Sequence, residues 1–399
     1  MSAPIAARFR VLDSWRGVAA VLVVFYHCVF IGALNDNAFV RAGYLFVDFF
    51  FVLSGFVIAY AYADRIKTPP AALGFMIRRF GRLWPLHVAM LCAFALAEGL
   101  NGLLLRYSGS AEAFHASVND NSPYSFLTNL ALLNAVGLHR SIAWNGASWS
   151  IGAEFYAYIV FCVVLLFFRG AALRLSAGIA LFGALVVLSF SAHQPLMDAT
   201  YDLGFFRGLY GFFVGVLVHA LYANVRAKGG ALLYASALEA AVVAIAAAFM
   251  ALSATAPYAI AAPLFFAPVV YIFAFEGGAI SRLLLARPFA ALGAWSYSIY
   301  MIQGLIANAY NRGVRLVDHI AGLPPLARVM IGGPEFWAAH GIAGALALDI
   351  LNLILVACVI AASSLTFRWV EEPARKYFNG VAKWVEAGSQ VAKAVAETA

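Results

Sequence analysis

The chain has 399 residues, of which 64% are apolar and 11% charged, with a formal net charge of +7. Soluble domains carry about 25% charged residues, so this composition excludes an ordinary soluble globule. The apolar residues come in blocks without strict alternation, which excludes a membrane β-barrel, and the positive balance encodes membrane orientation rather than nucleic-acid binding.

Runs of about 20 apolar residues, broken by charges, Pro or Asn, predict an all-α polytopic membrane protein with about ten spans, at roughly 11–33, 42–63, 84–105, 149–169, 173–192, 204–223, 233–253, 257–276, 289–311 and 342–368. With an even number of spans and the N-terminus inside, 18 Lys and Arg fall in inner segments and 7, Arg207 among them, in outer segments. That bias predicts cytoplasmic termini and, for a bacterial chain, an inner-membrane location. Residues 1–378 form the transmembrane domain, and 379–399 form a short cytoplasmic tail. Val381, Trp384, Val385 and Val391 place a candidate interfacial helix in that tail.

The first run, Leu12 to Phe30, is expected to be retained as a helix rather than removed as a leader, because it carries Asp13, Arg16 and His27. Titratable groups in a span are expensive and usually face a protein interior or a wet cavity. Arg16 and His27 are 11 residues apart, which returns to nearly the same helix face after a rise of roughly 16 Å. Asp13, close to that face, is expected to pair with Arg16. Arg78, Arg79 and Arg82, in MIRRFGRLWPLH, sit at helical spacing before the third span. They suit either lipid phosphates of the inner leaflet or a phosphate-bearing ligand.

A second layer is expected toward the outer side. Counted from the span ends, His27, Asp48, Glu154 and Gln303 fall at a similar depth, with Tyr300 and Tyr156 close by. Asp48 either joins this layer, pairs structurally with an arginine or caps a helix end. Ser54, in LSG, reads as a small residue for helix packing rather than a nucleophile. Two outer loops, about 106–148 and 312–341, are long enough to suggest function. They hold His115, Asp120, Tyr124, His139, Arg140 and Trp144, and Asp318, His319, Glu335, Trp337 and His340, a set suited to a sugar or to an interfacial belt. Cys28, Cys92, Cys162 and Cys358 lie in apolar runs with no metal-ligand spacing, so no metal site is expected.

Several stretches together resemble the integral-membrane acyltransferase family 3. These are LDSWRGVAAVLVVFYH, FVDFFFVLSGFVIAY, RRFGRLWP, SWSIGAEFYAY, WSYSIYMIQG and FRWVEEPARKYF, in this order from residue 12 to 378. The resemblance implies an acyl-coenzyme A donor, acetyl-CoA by default, used as substrate rather than held as a permanent cofactor. It also implies an acceptor hydroxyl on a carbohydrate or lipid-linked glycan at the outer side, as in O-acetylation of exopolysaccharide or lipopolysaccharide. Arg16, Arg79 and Arg82, with Arg78, would hold the donor phosphates. Relatives often carry His where this chain has Gln303, so Gln303 is given no proton-transfer role.

For the chemistry, His27 is a general-base candidate with Glu154 orienting it, or Glu154 is itself the base. Asp48, Tyr300, Gln303, Trp149, Ser150 and Tyr156 are candidates for shaping the pocket. Two other classes fit the same residues: a transporter or flippase using His27 and Glu154 as a proton relay, and a scaffold in a polysaccharide-synthesis complex. The sequence has no internal repeat of the kind many transporters show.

Overall fold

The computed structural model describes residues 9–107, 121–191, 196–229, 231–254, 256–321, 327–330, 335–338 and 341–398. His115, Asp120 and His340, and the side chains of Asp318, His319 and Glu335, lie outside the described residues. The elements are α1 (Arg10–Tyr26), β1 (Phe30–Ile31), α2 (Ala38–Arg41), α3 (Phe46–Tyr62), α4 (Pro69–Tyr107), α5 (Pro123–Leu130), α6 (Trp149–Phe167), α7 (Ala172–Phe190), α8 (Gly204–Ala227), α9 (Ala235–Ser253) and α10 (Ala262–Phe273). They continue with α11 (Ala279–Leu284), α12 (Arg287–Ala321), β2 (Ala327–Met330), β3 (Glu335–Ala338), α13 (Gly341–Thr366) and α14 (Glu372–Thr398).

Among the described residues, 8 helices are long and apolar enough to cross a membrane. The two remaining expected spans are shorter. They are α1, of 17 residues, and the apolar stretch Pro257–Phe273 that includes α10. The chain is an all-α polytopic membrane protein.

Glycines set the closest helix crossings, because only a missing Cβ lets two backbones meet in a bundle. A Cβ at Gly17 of α1 would collide with Leu292 of α12, and one at Gly293 with the Asp13 backbone. Gly55 of α3 meets Phe212 of α8 in the same way, and Gly215 of α8 meets Val52. These contacts fix α1 against α12 and α3 against α8. α6 then packs on α8, where Gly208 sits against the Ala153 Cβ, and on α4.

Four segments differ from expectation. α1 stops at Tyr26 instead of running past residue 30. The backbone beyond it has other partners: β1 pairs in parallel with β3, and the Phe30 carbonyl accepts from Asn35 and Asn352. β3 and Asn352 lie far away in sequence, so little in the local pattern announces the stop. α4 begins at Pro69, so the arginine cluster belongs to the helix itself rather than to an inner loop. The second long outer loop is shortened by α12, which extends to Ala321, and holds the antiparallel strands β2 and β3.

The fourth difference is the tail. It is no separate short segment but part of α14, which packs along α4. Ala382 is buried there, while Trp384 is 76% exposed. Between α13 and α14 the helix opens into a π-turn, Phe367–Glu371. Pro373 has no N–H to offer the Trp369 carbonyl, so the regular ladder breaks here. The wider turn carries Glu371 into the protein, where it is buried.

Candidate active site

Five helices converge on one cavity of about 100 Å³. α1 contributes Arg16; α3 contributes Phe50 and Ser54; α4 contributes Arg79 and Arg82; α6 contributes Ser150, Glu154 and Tyr158; α12 contributes Ser296, Tyr297 and Tyr300. Helical spacing explains the grouping. Ser150, Glu154 and Tyr158 recur every four residues, as do Phe50 and Ser54, and Ser296 and Tyr300, so each set lies on one face.

The polar wall is ordered. Arg16 donates from Nη2 to Asp13 Oδ1 at 2.7 Å and from Nε to Ser296 Oγ at 3.0 Å. Tyr158 donates to Glu154 Oε1 at 2.5 Å, and Ser54 Oγ lies 3.2 Å from the same hydroxyl. The tyrosine proton is committed to the carboxylate, so Ser54 donates to Tyr158. Ser150 and Tyr300 hydroxyls meet at 2.9 Å. Arg82 lies 3.8 Å from Glu371, close enough for attraction but too long for a hydrogen bond, and Ser298 donates to the other Glu371 oxygen at 3.1 Å. Arg79 forms no salt bridge among the described residues, and its buried Nε has no hydrogen-bond partner. Its guanidinium lies over the rings of Tyr62 and Phe75. A cation held there without a carboxylate suits an anionic ligand.

The structure therefore gathers Arg16, Arg79, Arg82, Glu154, Ser150 and Tyr300 in one place. Of the expected outer layer, only Glu154 and Tyr300 join the arginines, brought there by α6 and α12. The remaining sequence candidates lie elsewhere. Arg78 leaves the cluster, donating to Glu386 of α14 from Nη1 at 3.2 Å and from Nη2 at 2.5 Å. Asp48 is fully buried against Arg207 of α8, which donates to its two oxygens at 2.9 and 2.7 Å. Asp48 is thus a structural partner of an arginine and not part of the cavity wall. Arg207, counted by sequence among the outer charges, is 1% exposed. Trp149 serves the same pair, its ring 5.0 Å from the guanidinium carbon. Tyr156 turns away to donate to the Ala131 carbonyl at 3.1 Å.

His27 and Gln303 lie outside the cavity lining. His27 caps the end of α1 with an exposed ring, and its Nδ1–H donates to the Val23 carbonyl at 2.8 Å. In the neutral ring this leaves the lone pair on Nε2. Gln303 is 2% exposed, and neither its oxygen nor its nitrogen has a partner. α1 and α12 run side by side from the Gly17–Gly293 crossing, with Ala20, Val24 and Cys28 clustered beside Ile299, Ile302 and Ala307. His27 and Gln303 each stand ten residues beyond that crossing, about 15 Å along their helices.

Sequence reasoning passed over Tyr158, Ser296 and Glu371 and read Ser54 as a packing residue. Tyr158 had a signal, since it stands four residues after Glu154, within hydrogen-bond reach on a helix. Glu371 had a weaker one in the Glu-Pro of FRWVEEP, but its inward turn depends on the π-turn. For Ser296 and Ser54 only the tertiary packing decides.

A family model described as an acyltransferase domain matches residues 9–369. The chain belongs to this acyltransferase family, number 3 of its kind. A curated relative, "Protein 2 in picA locus" of Rhizobium radiobacter, is 44% identical over 90 residues, covering 22% of this chain. The match spans 44% of that relative's own length. No solved structure matches.

Proposed function

We propose that the protein is a membrane O-acyltransferase. It takes an acyl group, acetyl by default, from acyl-CoA supplied at the cytoplasmic side of the bacterial inner membrane. It transfers the group to a hydroxyl of a carbohydrate or lipid-linked glycan presented from the outer side, with both termini cytoplasmic. The observation that carries this reading is the cavity itself. It joins three arginines, one of them without a salt-bridge partner among the described residues, to a carboxylate–tyrosine–serine hydrogen-bond chain.

In this reading Arg16, Arg79 and Arg82 hold the anionic end of the donor. Guanidinium groups match phosphate oxygens in geometry and stay charged when half-buried. Glu154 takes up a proton inside the cavity through Tyr158. His27 takes the proton of the acceptor hydroxyl, with Nε2 as the basic atom. Phe50 and Tyr300, whose rings meet edge to face at 5.8 Å, form part of the wall that keeps water from the thioester.

The test uses purified full-length protein in lipid nanodiscs. Acetyl-CoA and candidate glycans are added, and release of the free thiol is followed together with the mass of the glycan. Acceptor-dependent thiol release with an added acyl group on the glycan is the expected result. Glycan transport without acyl-CoA consumption would overturn the reading. Comparing surface glycans from cells with and without the protein then identifies the acceptor.

A further inference from the structure

Ser54 stands in the wall of the cavity, and no packing role accounts for it. The close approach of α3 to α8 is made by its neighbour Gly55, where a Cβ would collide with the Phe212 carbonyl. Ser54 points instead to the cavity and donates to Tyr158, which donates to Glu154. A hydroxyl linked through a second hydroxyl to a carboxylate is an activated nucleophile with a route for its proton. The arginines proposed to hold the donor line the same cavity, whereas His27 does not.

We infer that Ser54 takes the acyl group from the donor as a covalent serine ester, so that the enzyme works by double displacement. This rests on the acyltransferase reading above. In the first half, Ser54 Oγ attacks the thioester carbonyl carbon. Its proton passes to Tyr158 as Tyr158 gives its own to Glu154. The tetrahedral intermediate collapses with cleavage of the C–S bond, and the departing thiolate takes the proton from Glu154. Free coenzyme A and O-acyl-Ser54 result. In the second half, the acceptor hydroxyl attacks the ester carbonyl with His27 taking its proton. The C–Oγ bond breaks, and that proton returns to Ser54.

The experiment is performed without acceptor, on purified full-length protein with acetyl-CoA carrying a labelled acetyl group. The expected result is a burst of free thiol equal to one per chain, with the label on the peptide containing Ser54. Labelled coenzyme A should also exchange into acetyl-CoA. Ser54→Ala should lose both label and exchange while still binding acetyl-CoA, which reports that the cavity is intact. Ser54→Cys should restore labelling as a thioester cleaved by neutral hydroxylamine. Glu154→Gln and Tyr158→Phe should slow the burst at least 100-fold without moving the label elsewhere. If acceptor-dependent turnover proceeds with Ser54 unlabelled, or at the wild-type rate in Ser54→Ala, the serine ester is excluded and the acyltransferase reading stands. If the wild-type protein consumes no acyl-CoA even with acceptor present, that reading fails as well.

Discussion

Arg207 grips Asp48 with two hydrogen bonds, of 2.9 and 2.7 Å, and both side chains are almost fully shielded from solvent. The guanidinium also donates to the carbonyls of Ala199 and Tyr44, at 3.3 and 3.1 Å, and lies 5.0 Å from the Trp149 ring. This one side chain therefore ties α8 to α3, to α6 and to the segment before α3. Trp149 opens the helix that carries Ser150, Glu154 and Tyr158, so the pair positions the cavity wall without lining it.

Breaking the pair leaves an uncompensated buried charge, which costs about 3–5 kcal/mol. Asp48→Ala and Arg207→Ala should each lower the thermal unfolding temperature of the detergent-solubilised protein and reduce its yield from the membrane. The double variant Asp48→Leu/Arg207→Met removes both charges, and should recover most of the lost stability. Wild-type stability in both single variants would show that the pair contributes nothing.

Arg79 is the arginine whose partner should be the ligand. Removing it takes away a charge-assisted contact of about 1.5–3 kcal/mol, equivalent to a 10- to 100-fold rise in the KM for acyl-CoA. Arg78→Ala, which breaks only the contact with Glu386, should leave that KM within a few-fold of wild type. Steady-state kinetics against acyl-CoA concentration check both. Equal effects of the two variants would place the donor along the whole cationic face of α4 rather than in the cavity.

Much of this arrangement was legible in the sequence. Apolar block length announced the bundle, and charges too expensive for lipid marked Arg16, Glu154 and Asp48 as special. The i,i+3 spacing of Asp13 and Arg16 and of Arg79 and Arg82 placed each pair on one face. What was hidden depends on contacts between distant segments. The sequence leaves two roles open for Asp48, and the contact that decides between them comes from Arg207, 159 residues away. Arg78 was indistinguishable from Arg79 until α14 returned with Glu386. Depth counted from the expected span ends fails at α1, which ends at Tyr26 before the pairing of β1 with β3 takes over the backbone. Ser54 and Gly55 are both small, and only the direction of the α3–α8 crossing separates the packing residue from the one that lines the cavity.

His27 supplies the last prediction, because its place outside the cavity separates its role from that of Glu154. Its Nδ1–H is held by the Val23 carbonyl, which leaves the lone pair of the neutral ring on Nε2. His27→Ala should lower acyl transfer to the acceptor by about 10²–10⁴-fold, the usual contribution of a positioned general base. The burst of free thiol in the absence of acceptor should persist in this variant, since the first displacement uses Ser54, Tyr158 and Glu154. The acyl group should then accumulate on the protein and stay there when acceptor is added. Rapid-quench mass spectrometry of the intact chain measures both quantities. Loss of the burst in His27→Ala, with the protein still folded and still binding acetyl-CoA, would instead place His27 in the first step.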